Sequence, residues 1–178
     1  ARRSDVLAVT YPVGYWDYLG WDDTFAKAKF GDRQTRYNRV LGHRGPYTPQ
    51  VIYSGRLHGS GVDLDDIGRA FARRDVSPYP INVTFENDEV VVSGEKGERA
   101  AAITVVKFKP GLTSVTPGGG ANKGKAMTYH NLVTDFGTVG AFDGGVKRFR
   151  VRCEEGCLIL VQDGGAEGTI LGVAQKKS

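Results

Sequence analysis

Cysteine is nearly missing: Cys153 and Cys157 are the only two in 178 residues. Two thiols are too few for a disulfide framework or a closed zinc site. Histidine is scarce as well. His43, His58 and His130 lie in three separate segments without metal-ligand spacing, so no metal is expected, and no other cofactor is implied. No apolar run approaches the roughly 20 residues that span a bilayer. Neither sign of charge is concentrated: 24 basic and 20 acidic residues leave +4. So mild an excess argues for solubility and against nucleic acid as a partner. A Gly-x-Ser-x-Gly nucleophile elbow is absent. There is no initiating Met either. Ala1-Arg2-Arg3-Ser4 is the opening expected where a leader has been removed or an N-terminal portion left out.

What is plentiful is glycine, 25 residues clustered where strands turn. Val6–Tyr11 reads as a buried strand ending at Pro12, followed by an aromatic run from Tyr15 to Trp21. Asp22 and Asp23 offer caps for a helical stretch through Phe25, Ala26, Ala28 and Lys29, with Gly31 as its break. Asp32 then caps a second helix burying Tyr37, Val40 and Leu41 and stopping at Gly42. Val51-Ile52-Tyr53, the turn Ser54-Gly55 and Arg56-Leu57-His58 form a hairpin pattern. Asp63 begins another helix with Leu64, Ile67 and Phe71 on one face, and Arg69, Arg73 and Arg74 toward its end.

At Ser77-Pro78-Tyr79-Pro80 the character changes, which sets a domain boundary: 1–77 reads as α/β and 78–178 as all-β. Beyond it come about eight strands with Gly-rich turns, starting with Ile81-to-Phe85, Asn87-Asp88 and Val90-Val91-Val92. They predict a β-sandwich or barrel. Gly119-to-Ala126 nearly spells a phosphate-binding loop, yet Ala126 stands where a hydroxyl residue is needed and a strand-like run follows. That favours a plain loop.

Three blocks then become informative together: Tyr15-Trp16-Asp17-Tyr18-Leu19-Gly20-Trp21, Arg33-Gln34 and Tyr47-Thr48-Pro49-Gln50. With Tyr129-His130-Asn131-Leu132-Val133 and Leu160-Val161-Gln162-Asp163-Gly164-Gly165, they resemble a bacterial family of secreted thioredoxin-like proteins, catalogued as domain of unknown function twelve-twenty-three. The resemblance implies a thioredoxin-like domain over 1–77, lacking its first strand and helix, and a periplasmic or secreted location. It also implies thiol–disulfide exchange on a peptide or protein thiol if a Cys-x-x-Cys segment precedes Ala1, and a cis Thr48–Pro49 bond. Gly14 stands where such proteins tend to carry Asp. A different class of function fits the same residues: a non-catalytic module binding a peptide or an envelope partner.

No catalytic residue is assigned. Tyr15, Trp16, Asp17, Trp21, Tyr47, Thr48 and Pro49 are the candidate substrate-binding residues, the aromatics being equally suited to packing a core. Arg148, Arg150 and Arg152 alternate along a strand and share its wet face, as a solvated stripe or an anion or partner surface. Cys153 and Cys157 flank Glu154-Glu155-Gly156, the pattern of a three-residue hairpin loop with Gly in the left-handed position. That would bring the thiols within disulfide range. Oligomeric state is not legible.

Overall fold

Val90 and Val92, with their cross-strand partners Phe85 and Val83, line one face of a hairpin between β3 (Asn82–Glu86) and β4 (Glu89–Gly94). Asn87, at φ 59°, and Asp88 make its two-residue turn. β4 also pairs with β7 (Gly145–Arg150), which completes a three-stranded sheet in the order β3-β4-β7. A second sheet, in the order β6-β5-β8-β9, joins β5 (Ala101–Val115), β6 (Met127–Phe142), β8 (Gly156–Asp163) and β9 (Ile170–Lys177). This computed structural model describes residues 6–72 and 80–177.

The period of two sorts the core. Ile103 and Val105 of β5 and Cys157, Ile159 and Val161 of β8 face the three-stranded sheet and pack on Val83, Val90 and Val92. Val106, Phe108, Leu158 and Leu160 face the other way and cover Phe30. β8 is therefore buried on both sides, which is why it reads as an unbroken apolar run. Each such side chain contributes about 1.5–3 kcal/mol by leaving water.

Phe30, Arg33 and Tyr37 form the buried stripe of helix α1 (Ala28–Val40), so the layers run helix, four-stranded sheet, three-stranded sheet. Arg33 is buried there, and no carboxylate among the described residues pairs with it. Its guanidinium lies 4.6 Å from the Phe136 ring centroid and donates to Gln162 Oε1 (3.3 Å). The Tyr11 phenol beside it is pushed up to about 12, mainly by burial.

α1 is one helix, not the two expected. Gly31 is carried inside it and Val40 is exposed. β1 (Gln50–Tyr53) and β2 (Leu57–Ser60) do form the expected hairpin, with Ser54 and Gly55 at φ 51° and 69°. Its tip is anchored where Ile170 N–H donates to Ser54 O (3.0 Å). α2 (Leu64–Ala72) is capped by Asp63, whose Oδ1 accepts from Asp66 N–H (2.8 Å), although Leu64 stays exposed. The expected boundary at Ser77-Pro78-Tyr79 and the basic residues Arg73 and Arg74 lie outside the described residues.

The fold differs from the one expected. The described residues are mostly strands in three antiparallel sheets, with two short helices. An α/β thioredoxin-like layer needs helices flanking a shared central sheet. Here β1 and β2 pair only with each other, and α1 covers the four-stranded sheet instead. Val6–Tyr11 is not a strand of any sheet either, since only Thr10 bridges to Leu132. The expected sandwich fits only loosely. One face of the four-stranded sheet meets the second sheet and the other meets α1.

At the free edge of β6 three lysines reach backbone carbonyls. Lys27 donates to Thr134 O (2.6 Å), Lys29 to Phe136 O (3.2 Å) and Lys147 to Ala141 O (2.6 Å).

Candidate functional site

Gln34 organises the first group of side chains. One turn of α1 separates it from Asn38, so both amides face the segment between His43 and Gln50. Gln34 Nε2 donates to Tyr47 O (2.7 Å) and Gln50 Oε1 (2.8 Å), and its Oε1 accepts from the Tyr15 hydroxyl (3.0 Å). Gln50 Nε2 donates to Asn38 Oδ1 (2.7 Å), and Asn38 Nδ2 to Gly45 O (2.8 Å). Every link is a good hydrogen bond, so the loop holds one conformation against the helix.

Outside this network lies an exposed aromatic face. Trp16 Nε1 donates to Thr48 Oγ1 (2.9 Å), which ties the indole to the residue before Pro49. Ring centroids are 5.7 Å apart for Tyr15 and Trp16 and 6.1 Å for Trp16 and Tyr18. Trp16 is 46% exposed and Tyr18 75%. The Thr48–Pro49 bond is cis, as the resemblance implied. Pro49 O accepts from Gly61 N–H (2.8 Å), and a Cβ at Gly61 would sit 3.0 Å from the proline's own Cβ. A side chain at Gly61 would press on the proline ring, which would have to give by a few tenths of an ångström.

Behind Pro49 the Tyr47 hydroxyl meets His58 Nδ1 at 2.8 Å, and the His43 ring lies 4.7 Å from that of His58. Burial holds the His58 imidazole below its ordinary pKa, and the charge of His43 adds to this, with Asp66 opposing. Burial likewise raises the Tyr47 phenol.

Of the candidate residues, Tyr15, Trp16, Tyr47, Thr48 and Pro49 are brought together by these contacts. Asp17 turns away, its Oδ1 accepting from Asp23 N–H (3.3 Å). A Cβ at Gly14 would fall 2.8 Å from Asp17 Oδ2, so an acidic side chain there would crowd that carboxylate. Trp21 lies toward the Gly119–Gly120 loop, which approaches Gly20 so closely that a Cβ at Gly119 would overlap Gly20 O. This loop leads into β6 and not into a helix, so it is no phosphate-binding loop. Tyr18 and Gln34 stood in the blocks that carry the resemblance without a site role, His43 and His58 were weighed only as metal ligands, and Asn38 was missed. The four-residue spacing of Gln34 and Asn38 was a usable signal. Nothing local links His43 with His58.

Cys153 and Cys157 are joined in a disulfide, with Cα atoms 5.7 Å apart. The hairpin expected around them does not exist: β7 belongs to one sheet and β8 to the other, so the bond clips a crossover. Gly156 is not left-handed. It is needed because a Cβ would lie 2.8 Å from the Phe108 ring. Arg148 and Arg150 lie on β7, whereas Arg152 lies beyond its end.

The sequence model of a family described as Protein of unknown function (DUF1223) matches residues 1–162. A crystal structure of a protein from Agrobacterium tumefaciens, determined as a structural-genomics target, shares 32% identity and a TM-score of 0.72. The match covers 94% of this chain and 78% of that one. No curated protein matches. No described helix is long and apolar enough to cross a membrane.

Proposed function

Because the chain belongs to the family described as Protein of unknown function (DUF1223), which supplies no activity, we propose from the site itself that it is a non-catalytic binding module. Its contact face is Trp16, Tyr18, Thr48 and Pro49, and its ligand is a peptide segment of a protein partner. One observation carries the reading: two exposed rings in contact, with the indole N–H already bonded to Thr48. Rings held in place lose little conformational entropy on binding, and Trp and Tyr are the residues that most often dominate interface energetics. Tyr15, Tyr47 and Gln34 act behind them as a fixed support. The Cys153–Cys157 bond supports a periplasmic or extracellular setting, where disulfides persist.

The test is a diverse synthetic peptide array probed with the chain, followed by fluorescence titration of the captured sequences. Trp16→Ala is expected to weaken capture about thirtyfold, the scale of losing one hot-spot side chain. Tyr18→Ala should weaken it less, and both variants should keep the parent melting midpoint. Undiminished binding by Trp16→Ala would remove this face from consideration.

A further inference from the structure

Between β6 and the end of β7 the two sheets part and leave an open groove of about 310 Å³. Lys107, Arg150 and Arg152 line it, together with Asp135, Phe136 and Val139. Its charge is unbalanced. Among the described residues none of the three cations forms an ion pair, whereas Arg148, two residues before Arg150, is bonded to Glu86 (2.7 Å) and Glu89 (3.0 Å). Asp88, the carboxylate whose field Arg150 shares, is itself bonded to Lys176 (2.8 Å). Asp135 is taken up by Lys29 and by the Phe136 N–H (2.9 Å). One more cation stands behind the Phe136 ring: the Arg33 guanidinium, 4.6 Å from its centroid. A larger cavity of about 440 Å³ near Arg99 and Glu167 makes the contrast. There Arg99 bonds Asp163 (2.9 Å) and Glu167 bonds Arg36 (2.9 Å).

We propose that this groove binds a small polyanion, a ligand carrying carboxylate or phosphate groups, with Arg150 and Arg152 as its principal contacts and Lys107 as a third. Guanidinium forks match both oxyanions in two-pronged hydrogen bonds, and a concave surface with an excess of one sign concentrates its counter-charge. The contacts are also held in advance. Arg150 is in register with Glu89 on β4, and Arg152 directly precedes Cys153, which the disulfide ties to the start of β8. Backbone fixed on both sides leaves less order to impose when the ligand arrives. Strand addition at this edge is disfavoured, because Lys27, Lys29 and Lys147 already occupy carbonyls of β6. That selects a compact ligand over an extended one.

Calorimetric titration of the whole chain in a low-salt zwitterionic buffer, with pyrophosphate in one arm and citrate in the other, tests the proposal. Saturable binding in either arm supports it, and the tighter arm identifies the oxyanion. Arg150→Gln and Arg152→Gln should each weaken binding about tenfold or more, the worth of a charge-assisted hydrogen bond. Lys107→Gln should weaken it less, and Arg148→Gln should leave it unchanged. Two results would overturn the proposal: no saturable binding in either arm, or Arg148→Gln losing as much as Arg150→Gln. The latter would mean a diffuse surface charge effect. Melting midpoints equal to the parent's confirm that each variant is folded.

Discussion

His58 shows how one side chain's surroundings turn into a measurable pH dependence. Burial and the neighbouring His43 hold its pKa below the ordinary 6.5, against the pull of Asp66. Between that depressed value and 6.5 the unfolded chain takes up more protons than the folded one. The contribution of His58 is thus fully present above about pH 6.5 and is lost as the pH falls through the folded value. A neutral ring also lets Nδ1 accept from the Tyr47 hydroxyl, which protonation forbids. The melting midpoint is expected to drop between about pH 7.5 and pH 5.5, and His58→Gln should flatten that drop. A His58→Gln profile as steep as the parent's would assign the acid sensitivity to other groups.

Among elements, α1 carries an avoidable weakness. Gly31 lies inside the helix, where glycine costs about 0.5–1 kcal/mol relative to alanine. A Cβ there would lie 3.8 Å from the Tyr15 ring, an ordinary contact. Gly31→Ala should therefore stabilise the protein by about 0.5–1 kcal/mol, about 2–4 °C at most, read as a raised melting midpoint. A lowered midpoint would mean that the helix is bent at this point. The same glycine misled the sequence reading, because a local break signal was overridden by burial of Phe30, Arg33 and Tyr37 on either side of it. Hairpins were legible where turn chemistry is local, at Ser54-Gly55 and Asn87-Asp88. Sheet membership was not. β6 and β7 are separated only by Asp143 and Gly144 and look like a hairpin, yet they join different sheets. No pattern of period two reveals which sheet a strand enters. Within the candidate site, aromatic density marked Trp16, and the resemblance marked Thr48 and Pro49. The resemblance also included Gln34 but gave it no role, and Asn38 passed as an ordinary polar helix residue, because their partners arrive from a distant loop.

The whole molecule is a layered body closed on one side and open on the other. On the closed side Ile81 N–H donates to Leu171 O (3.0 Å), and Gly172 lets β3 and β9 approach. The open side exposes the edge of β6 beyond the Thr10 bridge at Leu132, and three lysines act there as caps. An uncovered edge is a template for a second chain, and lysine is a common means of blocking it. The block depends on positive charge and can be removed without touching the fold's interior. Acetylating the amines, or replacing Lys27, Lys29 and Lys147 with Gln, would remove those charges together. Light scattering should then show association rising with concentration beyond that of the parent, with added strand signal in infrared spectra. Equal scattering from the two proteins would mean that the edge is shielded by its own twist. The colloidal lifetime of this protein would thus rest on three ammonium groups, and any reagent or enzyme that acylates them would shorten it.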